Sequence, residues 1–345
     1  MLFRSGNDGQ NKMNTGNCSR YDSGAQAVKA SLSLSGQYVG KTCECSDVLG
    51  IVKRLVESIT PDNGDGVREL IESSKLSMAG AAAGLFDELE CAAVREYQCK
   101  SRSRAIDALK SLAQSFREIG ITGIVIKGLS FEKAIYGGAP LRDIGDIDIL
   151  IRPQDAVQVH NALCSLGYKQ QLGLSSGSMA QMGRARFAAR VAQQKYVVAA
   201  EPLRRFPYKD AFCPYVKTGF PTVELHYGFR GLPSWYTEEI VGRASEGELS
   251  LVEDELDVLV LLLVNTYENA ESFYSNCFDD KIVLRDFVDL ACYLNTARDA
   301  IDWNAARRLI GNLGITEKAG RVLRDLDDLL PGEADGALQI GRAHV

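Results

Sequence analysis

Residues 146–151 read Asp-Ile-Asp-Ile-Leu-Ile, and this stretch decides how the sequence is interpreted. Polar and apolar residues alternate at its start, a pattern that predicts a β-strand with one face in the core. Because side chains two apart in a strand share a face, Asp146 and Asp148 project together, roughly 6–7 Å apart. The isoleucines project to the opposite face. A cation would relieve the repulsion between adjacent carboxylates, and oxygen ligands suit Mg²⁺ or Mn²⁺.

A structural explanation of the acidic pair stays open at this point. Acidic pairs are common at the edges of strands, and a nearby basic side chain can neutralise them without any metal ion. The candidates for that role are Lys127, Arg142 and Arg152.

A second alternating stretch, Thr222 to Tyr227, supplies a third carboxylate. Its pattern places Val223 and Leu225 on the core face, with Glu224 and His226 on the other. If this strand pairs with the first, Glu224 completes a three-carboxylate cluster, the minimum for two Mg²⁺ ions about 3.5–4 Å apart. His226 has three open interpretations: it orients a carboxylate, contacts substrate, or is satisfied without a catalytic role.

The stretch from Val125 to Ser130 predicts a strand, a glycine turn and a helix. Gly128 permits close approach of a ligand to the backbone, and the start of the helix offers N–H groups to an anion. Ser130 adds a hydroxyl, and Lys127 or Arg142 adds positive charge. For Arg142, contact with a phosphate and a salt bridge to Asp146 are equal alternatives. The spacing differs from that of a P-loop, so this turn is weak evidence alone.

A glycine turn comes first in the chain, then the Asp-x-Asp strand, then the strand with the third carboxylate. This order resembles the signature of the polymerase-beta-like nucleotidyltransferase superfamily. The sequence is most similar to the branch described as an uncharacterised nucleotidyltransferase family, over roughly residues 50 to 330. The matching pieces are Ile126-Lys127-Gly128, Tyr136, Arg142, Gly145 to Leu150, Val223 to His226, Arg285 to Leu290 and Ile301-Asp302-Trp303. Lys-Gly replaces the usual Gly-Ser pair of the wider superfamily, and Gly128 stands 18 residues before Asp146, a long gap.

The resemblance implies an enzyme that moves a nucleoside monophosphate from an NTP to a hydroxyl acceptor and releases pyrophosphate. It implies that Asp146, Asp148 and Glu224 are the catalytic, metal-binding residues, with Mg²⁺ or Mn²⁺ as the ion. The residues expected to face the triphosphate are Lys127, Gly128, Ser130 and Arg142. The acceptor is a small molecule, a protein or a tRNA.

The remaining sequence predicts an α+β fold, a small mixed sheet between two helical regions. Apolar stripes predict helices before residue 120 and after residue 250, and Met78 to Cys91 predicts one buried helix. His160 is expected on the surface of a helix that Pro153 opens. The predicted organisation is a disordered leader (1–46), an N-terminal helical region (47–120), a nucleotidyltransferase core (121–250), a C-terminal helical domain (251–332) and a tail (333–345).

Composition narrows the class of protein. The 345 residues carry a net charge of -6, which argues against an extended nucleic-acid footprint. We expect a cytoplasmic protein with reduced thiols, since nine cysteines are scattered and neither a signal peptide nor a membrane span is evident. The basic run Arg184 to Arg190 is typical of a solvated helix face. Residues 340–345 resemble a translated sequencing adapter, and we interpret them as an artefact.

Three rival functions stay open. The fold could serve as a catalytically silent module that binds nucleotide or a partner. It could belong to a toxin–antitoxin or phage-defence system that nucleotidylates a protein or tRNA, with the same chemistry. It could be a helical scaffold whose acidic strands are incidental. The segment Ser175 to Lys217, between the two acidic strands, is where we expect acceptor specificity to lie.

Overall fold

The structure is a computed structural model that describes residues 45–59, 71, 75–170, 210–212, 214–229, 231–271, 284–335 and 337–340. The expected leader up to residue 44, the basic run 184–190 and most of the segment 175–217 lie outside these residues. The α-helices described are α1 (Cys45–Ile59), α2 (Ser77–Ala82), α3 (Glu88–Ile119), α4 (Leu129–Tyr136), α5 (Ala156–Ser165), α6 (Ser234–Arg243), α7 (Glu255–Glu271), α8 (Leu284–Ala297), α9 (Trp303–Asn312) and α10 (Thr316–Leu329). Short 3₁₀ turns cover Pro153–Asp155 and Ala337–Gln339.

A six-stranded mixed sheet forms the centre of the fold, which confirms the predicted α+β class. Its strands are β1 (Gly123–Val125), β2 (Asp146–Ile151), β3 (Lys169–Gln170), β4 (Tyr215–Val216), β5 (Thr222–His226) and β6 (Leu249–Leu251). Their order across the sheet is β3-β4-β5-β2-β1-β6. The β2–β5 and β1–β6 pairs are parallel, and the other pairs are antiparallel.

The two faces of the sheet pack against different helices. On one face, Ile147 and Ile149 of β2 and Val223 of β5 join a core cluster with α3 and α5. On the other face, Leu150 joins a second cluster with α1, α4 and the helices from α6 to α10. Asp146 and Asp148 alternate with the isoleucines and therefore belong to the face on which Leu150 lies. Because one face of β2 is wholly apolar, the burial of that face determines which side chains of the strand point to each side of the sheet.

The helical predictions hold with one correction. The stripe through Leu109 and Phe116 is buried in α3, which ends at Gly120 in the left-handed conformation, φ +66°. The single helix predicted over 78–91 is wrong, since α2 stops at Ala82 and α3 starts at Glu88. Gly84 lies between them with φ +70°. The Asp87 carboxylate accepts a bond from the Glu90 N–H, a helix-start signal within the predicted helix.

His160 is also placed differently from the prediction. It is buried in α5, 6% exposed, where the sequence suggests the surface. Its Nδ1 lies 2.8 Å from the hydroxyl oxygen of Tyr215 on β4, and burial lowers its pKa. The partner is far along the chain, so periodicity within the helix could not reveal it. Within the described part of the chain, no helix combines the length and apolar character needed to cross a membrane.

Candidate metal and nucleotide site

The site is built on the parallel pairing of β2 with β5. The register places Asp148 opposite Glu224 and Leu150 opposite His226. The condition stated from the sequence, that the two acidic strands must be neighbours, is therefore met. Val223 and Leu225 pack on the opposite face with the β2 isoleucines. Apolar residues on one face thus hold the polar residues of both strands together on the other.

Asp148, Glu224 and His226 form a compact cluster. Nε2 of His226 lies 2.8 Å from Oδ1 of Asp148 and 3.7 Å from Oε2 of Glu224. One candidate ligand atom from each residue lies within 4.8 Å of the other two. Asp148 is only 4% exposed, and Glu224 is partly buried. The three side chains can therefore converge on one small ion.

Asp146 stands beside this cluster on the same face of β2. It is solvent-exposed, yet it is surrounded closely enough by protein that desolvation raises the pKa of its carboxyl. The charges of Asp148 and Glu224 raise it further, and those of Lys127 and Lys75 oppose the rise. The charges of Asp148 and Glu224 therefore disfavour ionisation of Asp146.

Lys127 and Gly128 adjoin the carboxylates. Nζ of Lys127 lies 3.4 Å from Oδ1 of Asp148 and 5.3 Å from the centre of the Phe229 ring. Gly128 precedes α4 with φ +54° and ψ −114°. Glycine adopts this backbone conformation readily, whereas residues with a Cβ atom rarely do. A Cβ atom there would lie 3.4 Å from the carbonyl oxygen of Asp146. The lysine–glycine turn therefore lies directly against the start of β2.

Ser130 and Arg142 bind other parts of the protein. The buried hydroxyl of Ser130 accepts a hydrogen bond from the N–H of Val252, at 3.0 Å. Nε of Arg142, also buried, donates to Oδ2 of Asp289 at 2.9 Å. Of the residues expected to face a triphosphate, Lys127 and Gly128 lie at the carboxylates, whereas these two have structural partners.

His226 is the residue whose role sequence reasoning left undecided. The signal was its spacing, since the second residue after Glu224 must share its face in a strand. Its distance to Asp148 could not be derived without the register of β5 against β2. The structure places its imidazole between both carboxylates.

The donor set fits a divalent cation. Asp148 and Glu224 offer carboxylate oxygens and His226 offers an imidazole nitrogen, with Asp146 next to them. Carboxylates suit Mg²⁺ and Mn²⁺, whereas an imidazole favours transition metals such as Mn²⁺ over Mg²⁺. An ion would also offset the repulsion that raises the pKa of Asp146.

Comparison with known proteins agrees with this geometry. No curated protein and no solved structure matches the chain. The model of one protein family, described as uncharacterised nucleotidyltransferase, matches residues 92–331, well over half of the chain. The matched range contains both acidic strands, the lysine–glycine turn and the helices from α6 to α10. We conclude that the chain belongs to the uncharacterised nucleotidyltransferase family.

Proposed function

We propose that the protein transfers a nucleoside monophosphate from an NTP to a hydroxyl acceptor and releases pyrophosphate, with Mg²⁺ or Mn²⁺ held by Asp146, Asp148 and Glu224. One observation carries the proposal: the parallel register that sets Asp148 opposite Glu224 and beside Asp146. Family membership supports a nucleotidyltransferase activity in general. The metal, the nucleotide and the acceptor are parts of the proposal.

The carboxylates and Lys127 have distinct roles in this proposal. A divalent cation held by the carboxylates supplies positive charge to phosphate oxygens and favours the deprotonated form of an acceptor hydroxyl. Glu224, at the edge of the cluster, helps align or deprotonate that hydroxyl. Lys127, only partly exposed, adds a fixed positive charge beside Asp148. Gly128 lets a phosphate approach the backbone where a side chain would block it.

His226 orients Asp148 or joins it in binding the ion. Its Nε2 contacts the same oxygen, Oδ1, that Lys127 approaches. If the imidazole binds the ion, Mn²⁺ will bind more tightly than Mg²⁺. If it only orients Asp148, the two ions will differ less. Comparing wild type with His226→Ala in both ions separates these roles.

The class of acceptor can be tested by measuring how its binding depends on salt concentration. A tRNA acceptor requires contacts with many phosphates, so its binding must weaken steeply as salt concentration rises. A small-molecule acceptor lacks this dependence. We propose that the segment 175–217 determines the choice, because it connects the two acidic strands in the sequence.

The first experiment measures binding of ATP, GTP, CTP and UTP by calorimetry, with Mg²⁺ and with Mn²⁺. The wild type is compared with Asp146→Asn/Asp148→Asn and with Asp47→Asn/Asp107→Asn. The control pair removes the same charge from exposed helix positions. We expect at least one nucleotide to bind the wild type and the control, with affinity at least about tenfold lower in the site variant, or about 1.4 kcal/mol.

Two outcomes would contradict the proposal. If a well-folded wild type binds none of the four nucleotides, neither transfer nor nucleotide binding can be its function. If it binds one tightly but releases no pyrophosphate with any class of acceptor, the catalytically silent module becomes the better account. Asp148 already has protein partners in such a module, since Lys127 and the His226 imidazole both contact its Oδ1.

A further inference from the structure

Lys75 has a backbone conformation that sets it apart. Its φ is +56°, and among the described residues it is the only one other than glycine with a positive φ. An L side chain in this region clashes with its own backbone, so the conformation is unfavourable and needs support from its surroundings. Residues with such strained backbone conformations cluster at functional sites.

The turn containing Lys75 is fixed to the chain that leads into β2. Asp143 accepts hydrogen bonds from the N–H groups of Ser77 and Met78, at 3.1 and 3.0 Å. Leu76, next to Lys75, is buried in the core and donates its N–H to the carbonyl oxygen of Ile71. Because Asp143 stands three residues before Asp146, these bonds hold Lys75 near the start of the acidic strand.

The ammonium group of Lys75 is available to a ligand. The residue is exposed, and it forms no ion pair with any residue that the structure describes. Lys127, by contrast, already lies at Asp148 and Phe229.

We propose that Lys75 binds phosphate oxygens of the NTP substrate at the edge of the carboxylate cluster. This inference rests on the proposed function and extends it. A triphosphate that contacts cations on the carboxylates leaves further anionic oxygens, and an exposed ammonium on the turn bonded to Asp143 is placed to bind them. Lys75 precedes the matched residues 92–331, so the N-terminal helical region contributes directly to the site.

The test uses the full chain and four variants. Lys75→Gly removes the ammonium and relieves the strained φ, and Lys75→Asn removes the charge with a residue that tolerates this conformation. Lys75→Arg keeps the positive charge. Lys53→Gln removes a lysine from an exposed position on α1. Each protein is titrated with the four NTPs in Mn²⁺, and separately with Mn²⁺ alone, and its melting temperature is recorded.

We expect loss of the Lys75 charge to weaken nucleotide binding without weakening the binding of Mn²⁺ alone. In Lys75→Gly and Lys75→Asn, nucleotide affinity falls about tenfold, equivalent to about 1.4 kcal/mol. Binding of Mn²⁺ alone is unchanged or tighter, because a positive charge near Asp146 has been removed. Lys75→Arg keeps most of the affinity, Lys53→Gln resembles the wild type, and Lys75→Gly melts no lower than the wild type.

Equal nucleotide affinity in Lys75→Gly and the wild type would overturn the inference and leave the proposed function intact. A parallel loss of nucleotide and Mn²⁺ binding with a lower melting temperature would assign Lys75 a structural role and also overturn it. Absence of nucleotide binding in the wild type would overturn both proposals.

Discussion

Glu132, on α4, shows how strongly burial governs a single charged residue in this protein. It is 1% exposed, and its Oε1 accepts a bond from Nε of Arg102 at 2.7 Å. Its second oxygen, Oε2, has no hydrogen-bond partner in the described part of the chain. Burial raises the pKa of the carboxyl to about 7, and the charges of Arg102 and Arg142 only partly oppose that rise. An ionised Glu132 therefore destabilises the folded protein.

The stability of the protein is expected to depend on pH through this group. The folded-state pKa of about 7 lies above the ordinary value of 4.5, so the folded form binds the proton more tightly. The resulting stability is fully present below about pH 4.5 and is lost as pH rises through 7. Urea unfolding at pH 5 and pH 8 should show Glu132→Gln gaining on the wild type at pH 8, by at most about 3 kcal/mol.

Glu118→Gln, an exposed change on α3, is the control and should show no such gain. The contrary outcome is a stability difference between Glu132→Gln and the wild type that is the same at pH 5 and pH 8, as for the control. That result would show that Glu132 is ionised throughout this range and that Arg102 fully compensates its burial.

At the scale of secondary-structure elements, β2 and β5 were the most predictable parts. Their alternation predicted the bounds of β2 exactly and those of β5 to within one residue. In a half-buried strand, apolar and polar side chains must alternate at every second residue. The strands β3, β4 and β6 were not predicted, since two or three residues are too few to show a period, whereas the equally short β1 was indicated by the glycine turn and helix that follow it. Arg142 illustrates the same limit: its partner Asp289 lies on α8, and only the packing of α8 against α4 reveals the pair.

The Arg142–Asp289 pair joins the chain before β2 to the C-terminal helices. Both residues are buried, and the Tyr136 hydroxyl donates a second bond to Asp289 at 2.6 Å. Arg142→Leu leaves a buried carboxylate without its cation, so we expect a loss of about 3–5 kcal/mol in urea unfolding. The double variant Arg142→Leu/Asp289→Leu should recover part of that loss, because no buried charge is left unpaired.

Lys110→Met, which removes an exposed pair with Asp107, is the matched control and should cost well under about 1 kcal/mol. If Arg142→Leu is as stable as this control but binds NTP more weakly, Arg142 serves the nucleotide directly, as the sequence suggested.

At the scale of the whole molecule, one core cluster crosses the predicted segments. It contains Leu55 of α1, Ile126 beside the site, Val288 of α8 and Ala337 of the last 3₁₀ turn. The helix α1 and Ala337 lie outside the matched residues 92–331. The packed unit is therefore larger than the range that family comparison defines. Sequence periodicity predicted the helices, but not which of them share a core.

Leu55→Ala tests whether α1 is an integral part of this unit. Leu55 is fully buried, so truncating it leaves a cavity and should lower the free energy of unfolding by about 2–5 kcal/mol. Lys53→Ala, on the exposed side of the same helix, should change it by less than about 0.5 kcal/mol. Equal stability of the two variants in urea would show that α1 packs independently of the core.

The alternation of β2 also decides which changes of chain length the strand can accept. One residue inserted between Ile147 and Asp148 would reverse the facing of all that follows, placing a carboxylate against α3 and α5 and an isoleucine among the carboxylates. Two inserted residues would restore the original facing. An even-numbered insertion or deletion within β2 therefore keeps its facing but still moves Asp148 out of register with Glu224, so length variation among relatives is expected in the connections outside the strand.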